Sequence, residues 1–108
     1  MTDYRIVLVT CENSAQAERI AETVVVERLA ACVNIMPGIR SCYIWEGRKT
    51  WSDETLLFVK TTSGRFAELR DRILALHTYS TPEIVAVPIA DGLSGYLGWI
   101  DESVGAGS

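Results

Sequence analysis

Residues 32–61 read CVNIMPGIRSCYIWEGRKTWSDETLLFVKT, and this stretch decides the fold. Branched and aromatic side chains flank Glu46-Gly47-Arg48-Lys49, which reads as a turn. Two such runs joined by a short turn predict a β-hairpin. The first arm starts at Cys32, is interrupted at Pro37-Gly38 and resumes from Ile39 to Glu46. The interruption predicts a bend or bulge, because proline cannot donate to a strand ladder. Beyond it, Ile39, Ser41, Tyr43 and Trp45 share one face. The second arm runs from Thr50 to Thr61.

The elements on either side complete the pattern. Tyr4 to Cys11 is a short run of branched apolar residues, hence a strand. Asn13, with Gln16 three residues on, is a capping-box-like helix start. Ala17, Ile20, Ala21, Val24, Val25 and Leu29 then fall on one helical face, with Glu18, Arg19, Glu22 and Glu27 on the rest. After the hairpin, Phe66, Leu69, Ile73 and Leu76 mark a second amphipathic helix that ends near His77. Glu83 to Ile89 reads as a fourth strand, and Pro88 places it at an edge or strand end. Ser94 is the expected cap of a last helix carrying Tyr96, Leu97, Trp99 and Ile100. The order β-α-β-β-α-β-α is the ferredoxin-like split βαβ pattern, an α+β fold with an antiparallel sheet. Right-handed crossovers leave a gap between the first two strands, which the third fills, and put the fourth beside the first.

Composition bounds the function. With 108 residues, 48% hydrophobic and 22% charged, the chain reads as one globular domain over 1–104 with a frayed tail at 105–108. A net charge of −4 and the lack of a Lys/Arg stripe argue against nucleic acid and against anionic membranes as partners. The N-terminus lacks a basic start followed by an apolar stretch, so it does not read as a signal peptide. Three cysteines (Cys11, Cys32 and Cys42) without a C-x-x-C predict reduced thiols in a cytosol-like compartment.

The hairpin is too long for its domain. At ~3.3 Å per residue each arm reaches ~40 Å, against a radius of gyration of ~13 Å for a chain of this size. Two helices cannot cover such a ribbon, yet it stays apolar at Tyr43, Ile44, Trp45, Trp51, Leu56, Leu57 and Phe58. Left in water it would pair with other chains, so packing on neighbouring subunits of a closed oligomer is expected.

Several motifs stand out: Arg28-Leu29-Ala30-Ala31-Cys32-Val33-Asn34-Ile35, Ser41-x-Tyr43-x-Trp45-x-Gly47, Glu54 with Leu56 to Thr61, His77-x-Tyr79-x-x-Pro82-Glu83-Ile84, and Pro88, Gly92, Tyr96 and Trp99-Ile100. They span nearly the whole chain, and in this order they resemble the CutA divalent-cation-tolerance family. The resemblance implies a tight, PII-like homotrimer in the cytoplasm, a role in tolerance to divalent metals and above all copper, and no settled enzymatic reaction. Thr78 and Ser80 stand where relatives often carry Pro and Glu.

Thiolate and imidazole suit copper and zinc, so Cys32 and His77 are the expected metal ligands, bound transiently, with Glu83 and Glu54 as oxygen donors. Against this, His77 also reads as a plain residue at a helix C-terminus. Trp45, Tyr79, Tyr96 and Trp99 read as core or interface aromatics or, alternatively, as the walls of a small-ligand cleft with Lys60 and Glu54 as polar anchors. The leading expectation is a metal-binding trimer without catalysis. The alternative is a PII-like regulatory or scaffold trimer holding a small anion, an expectation from fold analogy alone. Catalysis ranks last, because the loop Cys11-Glu12-Asn13-Ser14 offers an acidic residue and no glycine where a phosphate would need backbone N–H groups.

Overall fold

The computed structural model describes residues 2–105. Its elements follow the expected order: β1 (Tyr4–Cys11), α1 (Ser14–Val26), β2 (Cys32–Trp45), β3 (Arg48–Thr62), α2 (Phe66–Leu76), β4 (Ile84–Pro88) and α3 (Ser94–Ser103), with a 3₁₀ turn at Ser63–Arg65 leading into α2. The sheet is antiparallel with strand order β2-β3-β1-β4. Pro88 closes the edge strand opposite Arg5, where its missing N–H breaks no interior ladder.

Register sorts the sheet into two faces. Val7 lies opposite Val59, Val9 opposite Leu57 and Cys11 opposite Thr55. These side chains are buried beneath α1 and α2, against Ile20, Val24, Leu69 and Ile73. The α1 start is as expected: the Asn13 side chain accepts from the Gln16 N–H at 2.9 Å. Gln16 Oε1 accepts from the Glu12 N–H at 3.4 Å, so the box closes one residue upstream of the cap. Val25 turns partly to solvent and Leu29 reaches the core from beyond the helix. Arg28 takes φ 59° there, which lets the N–H groups of Leu29 and Ala30 both return to the Val24 carbonyl.

The hairpin carries a bulge where Pro37-Gly38 predicts one. Met36 pairs with Leu56 and Ile39 with Glu54, so β2 spends three steps where β3 spends two. The extra residue flips the alternation, so that even positions before it and odd positions after it share a face. The turn is shorter than expected. Glu46 and Gly47 take φ 49° and 77°, and Arg48 and Lys49 already belong to β3. Two central residues with positive φ match the twist of the flanking strands, whereas a four-residue loop is not required.

The expected Ser94 cap is also corrected. Leu93 is the last extended residue, and its carbonyl accepts the first helical bond from the Leu97 N–H at 3.0 Å. Ser94 is therefore inside α3 and caps nothing. Helix α3 lies over one end of the second sheet face: Ile100 and Val104 are buried with Ala31, against Tyr4 and Leu97, and the Tyr4 hydroxyl donates to Asp101. Arg65 donates to the carbonyls of Val104 and Gly105, both at 3.1 Å. Gly105 is thus tied down, and the remaining tail positions 106–108 lie outside the described residues.

The rest of the second face is bare. Ile6, Leu8, Leu56 and Phe58 are half-buried, and Met36, Val85 and Val87 are each exposed by 44–49%. The distal hairpin stands clear of both helical layers and stretches the molecule to 46 × 25 × 21 Å. At its tip Ile44 and Trp45 are 69% and 63% exposed.

Two substitutions test this account. Leu57→Ala empties a fully buried site and should cost about 2–5 kcal/mol in urea unfolding. Gly47→Ala forces a Cβ into positive φ and should cost about 1–2 kcal/mol, even though open space surrounds it.

Candidate functional site

The chain leaves α2 at His77 in an extended conformation, with φ −75° and ψ 146°. Its ring turns back to the end of β1, where Nε2 lies 2.8 Å from the Thr10 carbonyl oxygen. Nδ1 accepts the Tyr79 N–H at 3.0 Å. A backbone N–H can only donate and a carbonyl only accept, so these partners demand one tautomer, with the proton on Nε2 and a bare Nδ1. Thr78 Oγ1 donates to Glu12 Oε1 at 3.0 Å. Tyr79 Oη donates to Glu54 Oε2 at 2.9 Å, and its ring tilts against that of His77 with centroids 4.8 Å apart. Three consecutive residues thereby fasten the α2–β4 connection to β1, to the loop before α1 and to β3.

Burial, then the hydrogen bond to Glu54, push the Tyr79 phenol well above the ordinary tyrosine range. The fully buried Cys11 thiol is pushed up to about 11, by burial first and by the charge of Glu54 second. Glu83 is exposed, just before β4.

A second cluster forms on the bare face of the sheet, near α3. Cys32 lies opposite Lys60. Lys60 Nζ donates to Asn34 Oδ1 at 2.6 Å and stands 5.9 Å over the Tyr96 ring, a cation–π arrangement. Tyr96 and Trp99 have ring centroids 5.5 Å apart.

The residues expected to hold a metal are therefore divided. His77 and Glu83 belong to the connection at the C-terminal end of β1. Cys32 is opposite Lys60, and Lys60 is opposite Ile6, four residues from Thr10. That is about 13 Å along the strands and about 10 Å across two strand spacings. Among the described residues, no three His, Cys, Asp or Glu side chains converge as a cation would need. Taken with the occupied ring nitrogens of His77, this means that the described donors of this chain do not fit a resident metal. The expected small-ligand cleft divides too. Glu54 and Tyr79 meet at one end, Lys60, Tyr96 and Trp99 meet at the other, and Trp45 is alone at the hairpin tip opposite Arg48.

Sequence reasoning missed Thr10, Glu12 and Asn34 as partners. Thr10 acts through its carbonyl, which no side-chain pattern reveals. Asn34 could have been found, since it stands two residues from Cys32 and therefore on the same strand face. An open groove of about 510 Å³ between α1 and α2 holds neither cluster. Arg72 lines it, paired with Glu27 through two bonds of 2.9 Å.

The Cys11 thiol and the Tyr79 phenol hold their protons more tightly in the folded chain than at their ordinary values of 9.0 and 10.0. Their contribution to stability is complete below those values and is lost as pH rises towards the folded ones. Urea stability should therefore decline from about pH 9 upward. Above the ordinary phenol value, Tyr79→Phe should make the decline shallower, and a decline equally steep in both proteins would contradict the assignment.

Comparison with known proteins agrees with this fold. The family model described as CutA1 divalent ion tolerance protein matches residues 5–103. The divalent-cation tolerance protein CutA of Thermus thermophilus is 50% identical over 100 residues, covering 93% of this chain and 97% of that protein. The crystal structure of CutA from Xylella fastidiosa superposes with a TM-score of 0.94 at 38% identity, over 95% of this chain and 99% of that one. The divalent cation tolerance protein CutA from Archaeoglobus fulgidus, described as periplasmic, gives 0.91 at 46% identity over 94% and 98%. Sequence and overall fold agree over almost the full length, and the chain belongs to the CutA1 divalent ion tolerance family.

Proposed function

We propose that this chain serves divalent-cation tolerance in the cytoplasm as a homotrimer that handles the cation, copper foremost, without catalysing a reaction. The observation that carries this reading is the bare second face of the sheet. Ile6, Leu8, Phe58, Val85 and Val87 form an apolar surface, and beyond it the hairpin exposes Trp45 on the same face and Ile44 and Trp51 on the other. A monomer with that surface in water would be sticky, whereas a closed ring of three copies removes it from solvent.

Placement supports the reading without catalysis: Cys32 and His77, a thiol and an imidazole that would have to meet as nucleophile and base, sit at different ends of the sheet, far beyond hydrogen-bond reach. Copper suits the Cys32 thiol. The described residues of one chain offer no converging donor set, so in this reading copper takes its further donors from neighbouring subunits and its stay is transient. The cluster of Lys60, Asn34, Tyr96 and Trp99 favours one second reading: a PII-like trimer that holds a small anion against a cationic head and an aromatic wall.

Sedimentation should return a mass of three chains, and a mass of one chain would defeat both readings. Copper titrated against a competing chelator should bind saturably and be weakened in Cys32→Ser with the mass unchanged. Binding equal in the two proteins would remove Cys32 as the donor. If a nucleotide or organic acid binds without metal, and Lys60→Ala abolishes it, the second reading stands instead.

A further inference from the structure

His77 is the chain's single histidine and, by residue type, the first place to look for a copper or zinc ligand. We propose that it is instead the pin that fixes the α2–β4 connection to the end of β1, and that it takes no part in cation binding. An imidazole coordinates a metal through a bare ring nitrogen. The bare one here, Nδ1, already accepts the Tyr79 N–H at 3.0 Å. A cation in its place would take from that part-buried N–H the acceptor it has here, a costly exchange. A cation at Nε2 would displace its proton and leave the Thr10 carbonyl, 2.8 Å away, without its donor.

Neither exchange stays local. Displacing residue 77 pulls on Thr78 and Tyr79, and so on their bonds to Glu12 and Glu54. Those two carboxylates, each bonded to a residue of the same connection, already serve as acceptors there. The donors nearest His77 are thus committed to holding the connection. This inference does not need the cation reading above to be right.

The test uses the ¹⁵N-labelled full chain, whose one histidine gives a single set of ring signals. Long-range ¹H–¹⁵N correlation should show Nε2 protonated and Nδ1 bare, and both signals should stay in place as zinc(II) is added. Copper(II) affinity, measured by chelator competition, should be the same in His77→Gln as in the parent. Thermal unfolding should occur earlier in His77→Gln, and earlier still in His77→Ala, because a glutamine amide can keep one acceptor and one donor where alanine keeps neither. If the alanine variant fails to fold, the glutamine variant and the ring spectrum carry the test. A proton on Nδ1, ring signals that follow zinc along a saturable isotherm, or a copper affinity reduced about tenfold in His77→Gln at unchanged oligomeric mass would each overturn the proposal. A ring fixed in the Nε2-protonated form in a protein that binds neither ion would support the pin and would sink the cation reading instead.

Discussion

Strand β3 is the member on which the rest of the molecule hangs. It pairs with β2 from Arg48 to Lys60, and with β1 only from Thr55 to Thr62. The half shared with β1 lies under α1 and α2 and supplies Leu57 and Val59 to the core. The other half has one partner strand and no helical cover, so it projects as a ribbon. One strand is thus both the centre of a packed domain and the root of an arm that its own chain cannot bury. Removing apolar area from water is worth about 25 cal/mol per Å², and the folded chain leaves much of that gain unrealised along the arm and across the bare face.

The polar contacts complement this apolar layout by collecting at the sheet's two ends. At one, His77, Thr78 and Tyr79 fasten a connection of seven residues, 77–83, that contains no regular structure of its own. Each such bond contributes only about 0.5–1.5 kcal/mol net, but the three act on adjacent residues and so hold the segment as a unit. Near the other end, Arg65 and Tyr4 fasten the C-terminal part of α3, which leaves Tyr96 and Trp99 facing outwards beside Lys60. Side chains with the chemistry to bind something are therefore spread over two places rather than gathered in one cleft. Among the described residues of this member of a divalent ion tolerance family, the metal-type donors do not meet.

Much of the fold was legible because the signals are local. Asn13 and Gln16 announce a helix start within one turn, Pro37-Gly38 mark an irregular strand, and Pro88 belongs at an edge whatever surrounds it. Where reading and structure part, geometry beyond the immediate neighbours decides. The hairpin turn contracts to Glu46-Gly47 because the twist of the paired strands selects it. Leu93 displaces Ser94 as the cap because the chain enters α3 from a loop packed by Leu97 against Gly92. The candidate residues were of the right chemical types, but their grouping depended on register: Glu54 and Lys60 are six residues apart on one strand and serve different ends.

By itself, then, the sequence determined the element order, the irregularity in β2 and the excess length of the hairpin. These rest on period, proline, glycine and caps, which act over a few residues. Only the tertiary structure decided which side chains meet. Contact across a sheet is set by the pairing register, and the tautomer of His77 is set by a carbonyl 67 positions away and an amide two positions on. A histidine that composition offers to a metal is turned by those two backbone groups into part of the scaffold.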